Sequence, residues 1–436
     1  MVGSTVAALG LGTRKQVARR RLRDKMALNF LGHSFASRML HFALPKKAYA
    51  KCPDILHSLL RSFKEDALEA GASPCFKVAG SKFSIRYLGL TADWPAHVKA
   101  GKLKRSFYNL PKQYFEKTRC TGICDCCHAG QPEHDFEDMS MDASYLGTIG
   151  LTDAFDADDP GELLDLMNYE GASYKMFKSD LFHIWSLGWA KEWVAGMIVI
   201  TLDIVPGTSV PAKLQLLTLS LEEYCLGEKG VRAPCGLSFN DGLTRDRLGW
   251  SSFNDWPKGA WQKATDSRIL GDWLVLYLDK NKDAALAHPL LSIGYPATKA
   301  FITLLSELYG YGCWIYEPDA SLLAETGLAY CQSIQKIAAE SVRLKLTRFK
   351  MQPKIHKLRM IWQTMYQQAK SHGLAQNPLM EAVQQSEDYI GQVSRTSRRV
   401  SPRLTNLRSL EAYCAKLHRI WELPHVFGQE PPELED

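Results

Sequence analysis

The sequence predicts a mixed α/β protein in three parts: an α/β unit, a mostly helical block and a C-terminal helical return. Residues 82–90 (KFSIRYLGL) alternate apolar and polar side chains, which is typical of a half-buried strand. Residues 259–350 repeat apolar side chains at helical spacing almost throughout. A further helix is predicted at 376–395, where Asn377 can cap the helix and Pro378 suits its first position.

The first 75 residues are predicted to form a basic arm followed by helices. The segments 34–44 (SFASRMLHFAL) and 54–71 (DILHSLLRSFKEDALEAG) both show helical periodicity. An apolar helix is predicted at 181–200, with tryptophans at helical spacing that belong to a core: Trp185, Trp189 and Trp193. The predicted domain boundaries divide the chain into five segments. They are a basic arm with a helical N-terminal region (1–75), the first part of a core (76–228), a mostly helical insertion (229–350), the second part of the core (351–425) and an acidic tail (426–436).

Composition limits the function classes that fit this chain. With 436 residues, of which 46% are hydrophobic, it is long enough for two or three domains with real cores. The net charge of +6 is mild, so affinity for nucleic acid would come from local basic clusters, such as the four arginines and no acid of 394–403. The longest apolar stretch, 193–205, is too short to span a bilayer and carries Asp203. We therefore expect a soluble intracellular protein without membrane partners.

A cysteine-rich segment at 120–134 predicts a structural zinc site. The chain has 11 cysteines and no visible secretory signal, which favours reduced thiols or a metal site over disulfides. Cys124 and Cys127 form a C-x-x-C pair, which Cys120, His128 or His134 can complete. The alternative is a set of free thiols in an irregular loop. The candidate zinc ligands are Cys120, Cys124, Cys127 and His128.

Two acids lie at the ends of predicted elements, where carboxylates often hold metal ions. Asp93 follows the predicted strand, and rigid backbone there would fix its carboxylate; an ordinary turn acid is the alternative. Asp180 lies three residues before His183 at the start of the apolar helix. An acid at that position also suits the helix dipole without any functional role.

Glu387 is the third candidate acid. In the predicted helix at 376–395 it falls on the apolar stripe with Val383 and Ile390. A carboxylate on an apolar helix face is unfavourable unless it is paired or bound to a metal. The alternative is a buried ion pair with a nearby arginine.

Several segments, in order, resemble the catalytic regions of cut-and-paste DNA transposases of the CACTA kind, which use a DDE set of acids. The segments are ADWPAHVKAGKLKRSFYN with CTGICDCC, DLFHIWSLG, QPKIHKLRMIW and SEDYIGQVSRTSRR. The resemblance covers roughly residues 83 to 410. The chain also resembles a family of uncharacterised, transposon-derived dinoflagellate proteins, and that likeness brings no assigned activity.

The resemblance implies a fold and a mechanism. The fold would be a ribonuclease H-like core with a mixed sheet, interrupted by a large, mostly helical insertion. Asp93, Asp180 and Glu387 would bind Mg²⁺ or Mn²⁺ ions that assist DNA cleavage and strand transfer, with His183 orienting Asp180 or contacting a phosphate. In some relatives the second acid lies upstream of the histidine, so Asp165 is the alternative. An active transposase would be a nuclear homo-oligomer.

Basic side chains near these motifs are candidate contacts to DNA phosphates, with solvated helix ends as the alternative. They are Lys263, Arg268, Arg395, Arg398 and Arg399. Two other function classes stay open at this point. One is a catalytically inactive, domesticated protein that binds nucleic acid or zinc, and the other is a ribonuclease H-like nuclease without strand transfer.

Overall fold

The computed structural model describes most of the chain, and the described residues are mostly helical, with few in strands. The described residues are 2–6, 38–72, 76–78, 81–83, 87–110, 122–150, 161–166, 173–227 and 236–422. They fall into two compact units. Unit 1 comprises Met1–Lys104, Gly150–Lys178 and Met380–Asp436. Unit 2 comprises Arg105–Ile149 and Ser179–Leu379.

The elements described here are short strands and longer helices. The strands are β1 Val2–Val6, β2 Arg38–Ala43, β3 Phe76–Val78, β4 Ser81–Phe83, β5 Leu90–Thr91, β6 Phe177–Lys178, β7 Trp314–Tyr316 and β8 Leu374–Gln376. The α-helices of unit 1 and unit 2, in chain order, are α1 Lys46–Lys51, α2 Pro53–Ala72, α3 Trp94–Gly101, α4 Ala190–Thr201, α5 Val210–Leu226, α6 Ala264–Lys280, α7 Lys282–Ala287, α8 Leu291–Leu308, α9 Asp319–Arg343, α10 Pro353–His372, α11 Gln384–Ser397 and α12 Thr405–Glu422. A π-helix, Phe182–Trp189, precedes α4.

The predicted ribonuclease H-like core is wrong. Within the described ranges, each sheet has two strands, so no broad mixed sheet is formed. The pairs β1–β2, β3–β4 and β7–β8 are antiparallel, and β5–β6 is parallel. The alternating pattern at 82–90 produces the short β4 and β5 rather than one long strand. Because most apolar residues elsewhere lie at helical spacing, the cores are built from helices.

In unit 1, β2 takes the place of the helix that the segment 34–44 predicts. Arg38 and Leu40 are buried in this strand, while Met39 between them is 57% exposed, so the burial there has a period of two. Leu40 packs with Tyr389 of α11 and Tyr413 of α12 in one core cluster. Tertiary packing therefore outweighs the local helical pattern here. The second N-terminal prediction, a helix over 54–71, is confirmed by α2.

Unit 2 is a helical assembly, as the helical pattern of 259–350 predicts. The predicted core role of Trp185, Trp189 and Trp193 is confirmed, since each of these side chains is buried. Trp193 donates its indole N–H to Thr298 Oγ1 at 2.9 Å. In the described part of the chain, no helix combines the length and the apolarity needed to cross a membrane.

Helix α10 lies deep inside unit 2. Every residue from Ile355 to Gln363 is buried, including charged ones. Gly327 of α9 allows the two helices to approach closely, because a Cβ at this position would lie 2.3 Å from Trp362 Cδ2. The first turn of α10 lies beside the cysteine loop, residues 122–149, where Lys357 contacts Asp125.

Candidate metal centre

The cysteine loop is irregular in its first half, and short backbone hydrogen bonds hold its turns. Ile123 N–H donates to the Ala129 carbonyl at 2.8 Å, which closes the turn that carries Cys124 and Cys127. Gly130 follows with a φ of +88°, a conformation that a side chain would strain. Both thiols of the C-x-x-C pair point inward and have no exposed surface.

Helix α10 supplies the third side chain of the centre. Pro353 starts this helix, and His356 lies one turn further on, fully buried. Its Nε2 lies 3.3 Å from Cys127 Sγ, although the two residues are 229 positions apart. The ring also packs edge-on against Tyr145, with centroids 4.7 Å apart.

Cys124, Cys127 and His356 form a buried cluster that could hold a metal ion. Their ligand atoms all lie within 4.8 Å of one another. A fourth thiol is adjacent, since Cys126 Sγ lies 3.2 Å from Cys124 Sγ. Two thiolates and one imidazole are the donor types that zinc takes in structural sites, where it is bound by four ligands.

A buried ion pair accompanies this cluster. Lys357, next to His356, contacts the carboxylate of Asp125, next to Cys124, and both side chains are almost completely buried. Burial alone lowers the pKa of Lys357, but Asp125 and the neighbouring thiols hold it well above its usual value. The pair therefore binds the loop to α10 and places a positive charge beside the cysteines.

The cysteines have unequal acidities in this arrangement. Burial raises the pKa of Cys124, but hydrogen bonds from Cys126 and Cys127 and the Lys357 charge hold it well below the usual thiol value. Burial and the neighbouring Cys124 raise the pKa of Cys127. One thiolate is therefore already favoured in the protein without metal, and a bound cation would stabilise further thiolates.

The structure brings together part of the predicted ligand set. Cys124 and Cys127 meet as predicted, while Cys120 lies outside the described residues. His128 is not a member of the cluster: its backbone N–H donates to Thr148 Oγ1 at 2.9 Å, and its ring lies beside that of His134. His356 takes the place that the sequence assigned to His128. The signal for His356 was the QPKIHKLRMIW segment, which the resemblance singled out without a metal role.

The predicted catalytic acids belong to different units. In unit 1, Asp93 is the N-cap of α3, and its Oδ1 accepts a hydrogen bond from Ala96 N–H at 2.8 Å, which is the turn role weighed as its alternative. Asp180 and His183 lie in unit 2. Asp165 lies in the short 3₁₀ turn Leu164–Leu166. The three-acid metal site stays a prediction.

The predicted burial of Glu387 on an apolar helix face is wrong. Its helix begins at Gln384 rather than after Asn377, because residues 378–380 form a separate 3₁₀ turn. The buried side of α11 is set by Tyr389 and Val393, which pack against β2. Glu387 is consequently exposed.

Asp180 and His183 form the most enclosed acid–histidine pair of the described residues. Asp180 is 3% exposed, and its carboxylate lies 2.5 Å from His183 Nδ1 and accepts a further bond from Phe182 N–H. The pair lies at the start of the π-helical segment Phe182–Trp189, which is kinked at Gly188, where the backbone is not helical (φ −103°, ψ −105°). Gly188 permits this geometry, since a Cβ there would lie 2.5 Å from the His183 carbonyl oxygen.

The candidate DNA contacts separate into two groups. Lys263 and Arg268 are exposed at the start of α6, but Arg268 lies 3.8 Å from Asp272 and over the Tyr309 ring. Trp261, three residues before α6, is buried and donates its indole N–H to Ser267 Oγ. The second group, the arginine cluster, is exposed and has no ion pair with another described residue. It comprises the predicted contacts Arg395, Arg398 and Arg399, together with Arg403, the fourth arginine of the segment 394–403.

Comparison of the chain with protein-family models, with curated proteins and with solved structures finds no match. Its function is therefore inferred from the chemistry of its own residues.

Proposed function

We propose that this chain is a DNA-binding protein in which a structural zinc ion fastens the cysteine loop to helix α10, a domesticated relative of the transposases that it resembles. The observation that carries the proposal is the buried cluster of Cys124, Cys127 and His356. Both thiols and the imidazole are polar groups enclosed in the interior of unit 2. A zinc ion gives these polar groups a common partner.

The donor set suits zinc rather than magnesium. Mg²⁺ prefers oxygen ligands, whereas thiolate sulfur and imidazole nitrogen favour zinc. Cys126, whose Sγ lies 3.2 Å from Cys124 Sγ, is the described residue best placed to supply the fourth bond. Cys120 is the alternative that the sequence offers. The ion would supply a crosslink between loop and helix, and no open position for substrate is required of it.

DNA binding is supported by the arginine cluster. Its guanidinium groups project from the end of α11 and the turn that follows, without acidic partners among the described residues. Arg408 differs, because Glu411 holds it at 2.7 Å. Arginines without such partners are available for bidentate contacts to phosphate oxygens. These contacts carry little sequence information, so the expected binding is general and sensitive to salt.

Zinc content and DNA binding test the two halves of the proposal. Purified protein should contain one zinc ion per chain by elemental mass spectrometry, and Cys127→Ser or His356→Asn should lose it. Cys225→Ser, which alters a cysteine outside the cluster, should retain it. A full complement of zinc in His356→Asn would refute the proposed ligand set.

The DNA test measures affinity for a short duplex across a salt series. Replacing Arg398 and Arg399 by glutamine should reduce the slope of log K against log salt by about 0.9 per lost phosphate contact. Arg408→Gln is the matched control, since that arginine is already paired. Equal slopes in the wild type and the double variant would remove the cluster from the DNA interface.

Strand cleavage assisted by Mg²⁺ or Mn²⁺, as the resemblance implies, is a second candidate function. The observation that favours it is the buried Asp180 bonded to His183, because a carboxylate that fixes an imidazole is a common catalytic arrangement. Asp180→Asn should abolish cleavage by a competent wild-type protein. Asp203→Asn is the control, as Asp203 forms an exposed pair with His288. Absence of cleavage by the wild type in either metal would leave the DNA-binding proposal alone.

A further inference from the structure

Ser401 lies in the connection between α11 and α12, beside the arginine cluster. The sequence before it is Arg398-Arg399-Val400, so arginines occupy the third and second positions before the serine. Arg-directed serine kinases select acceptors by such a charge pattern. We propose that Ser401 is a phosphoacceptor for an Arg-directed serine kinase and that its phosphorylation switches off DNA binding by the arginine cluster. The second half of this inference rests on the proposed function.

The Ser401 hydroxyl forms no hydrogen bond with any residue that the structure describes. Its side chain is exposed and makes no capping hydrogen bond, although the residue precedes the turn Pro402–Leu404. Its backbone carbonyl, by contrast, accepts bonds from Leu404 N–H at 2.9 Å and from the Thr405 hydroxyl. A phosphate on Oγ would therefore leave the bonds that start α12 in place.

The backbone around Ser401 also suits a kinase. Helix α11 ends at Ser397, so the two arginines and the serine lie outside regular helix. Ser401 itself has φ −57° and ψ 135°, an extended conformation. Exposed connections of this kind are the usual places for modification, because an enzyme can reach their backbone.

Neighbouring hydroxyls are poorer acceptors. Ser397 lies in the last turn of α11 and donates its hydroxyl to the Ser394 carbonyl at 3.1 Å. Thr396 donates to the Gln392 carbonyl in the same way. Neither residue has arginine at both the second and the third preceding positions. The pattern therefore singles out Ser401 within this segment.

The chemical step is a phosphoryl transfer from ATP. The Ser401 oxygen forms a bond to the γ-phosphorus, the bond from that phosphorus to the bridging oxygen breaks, ADP leaves and the hydroxyl proton is released. The product carries a charge of about −1.5 to −2 near pH 7. It would pair with the arginines and repel DNA phosphates, which removes about two effective contacts and weakens binding roughly 20- to 60-fold in 0.1 M salt.

The experiment treats the full-length, zinc-loaded protein with an Arg-directed serine kinase and ATP. Mass spectrometry of peptides locates the phosphate, and affinity for a short DNA duplex is measured before and after treatment. Ser401→Ala tests the acceptor, and Ser397→Ala is the matched control. Ser401→Asp, which adds one negative charge, should weaken binding roughly eightfold in 0.1 M salt without any kinase.

We expect one phosphate on Ser401 in the wild type and in Ser397→Ala, none there in Ser401→Ala, and weaker DNA binding wherever the phosphate is present. No phosphate at Ser401, under conditions that modify a control peptide with the same arginine pattern, would overturn the acceptor assignment. A phosphorylated protein that binds DNA as tightly as before would overturn the switch. If unmodified protein binds no DNA, the proposed function and the switch both fail, and the acceptor assignment is still decided by mass spectrometry.

Discussion

Breaking the buried pair of Asp125 and Lys357 should destabilise unit 2 strongly. Lys357→Met keeps the length and helix preference of the side chain but leaves the Asp125 carboxylate buried without its cation. Removing one partner of a buried pair costs about 3 to 5 kcal/mol. In a domain of about 150 to 250 residues this corresponds to a fall of roughly 6 to 20 °C in Tm.

The double variant separates the pair from its surroundings. Asp125→Asn combined with Lys357→Met removes both charges together, and such replacements are often close to neutral. We therefore expect the double variant to be more stable than the single Lys357→Met variant. Lys299→Met is the surface control, because Lys299 is half exposed in its pair with Asp279 and such pairs contribute about 0 to 1 kcal/mol.

The assay is thermal unfolding of the zinc-loaded proteins, followed by tryptophan fluorescence and calorimetry at pH 7. Trp189, Trp193 and Trp362 are buried in unit 2 and report its unfolding directly. Zinc is held at the same excess throughout, since metal that binds the folded form alone raises Tm. A loss of stability below about 1 kcal/mol in Lys357→Met would contradict the predicted role of the buried pair. So would a double variant whose loss equals the sum of the losses in Lys357→Met and Asp125→Asn.

Three further predictions concern packing, zinc and the acid–histidine pair. Gly327→Ala should destabilise unit 2 by about 1 to 3 kcal/mol in urea unfolding, because the added Cβ would meet the rigid Trp362 ring. Gly147→Ala is the control and should change stability little, since a Cβ there would have no neighbour within 4 Å. Equal losses of stability in the two variants would contradict this prediction. Acidification should release zinc to a colorimetric chelator, because protons compete for the thiolates and the imidazole; release independent of pH would argue against these ligands. Gly188→Ala should perturb the π-helix and shift the His183 ring signals in NMR spectra, and unchanged signals would contradict its assigned steric role.

The sequence predicted what depends on local pattern. The tryptophans of 185–193 lie at helical spacing and are buried as that spacing predicts. The C-x-x-C pair likewise meets within one turn, because its two residues are only three positions apart. Both features are decided by neighbours along the chain.

The sequence could not predict what depends on distant packing. His356 meets Cys127 across 229 positions, so spacing carried no indication of their contact. The prediction of a buried Glu387 depends on a helix that starts directly after Asn377. Asn377 Oδ1 does accept a hydrogen bond from Leu379 N–H at 3.0 Å, but the 3₁₀ turn that follows ends at Met380, and the helix begins at Gln384. The mixed sheet was inferred from the resemblance and one alternating segment, and the described strands are too short to form it.

X-ray absorption at the zinc edge of the purified protein shows directly whether zinc is bound by the cysteine loop and α10. We expect sulfur neighbours at about 2.3 Å and a nitrogen neighbour at about 2.0 to 2.1 Å, as a site with Cys124, Cys127 and His356 as ligands requires. That result would place zinc between the cysteine loop and α10. A protein without zinc, or one whose zinc is surrounded by oxygen and nitrogen without sulfur, would contradict it.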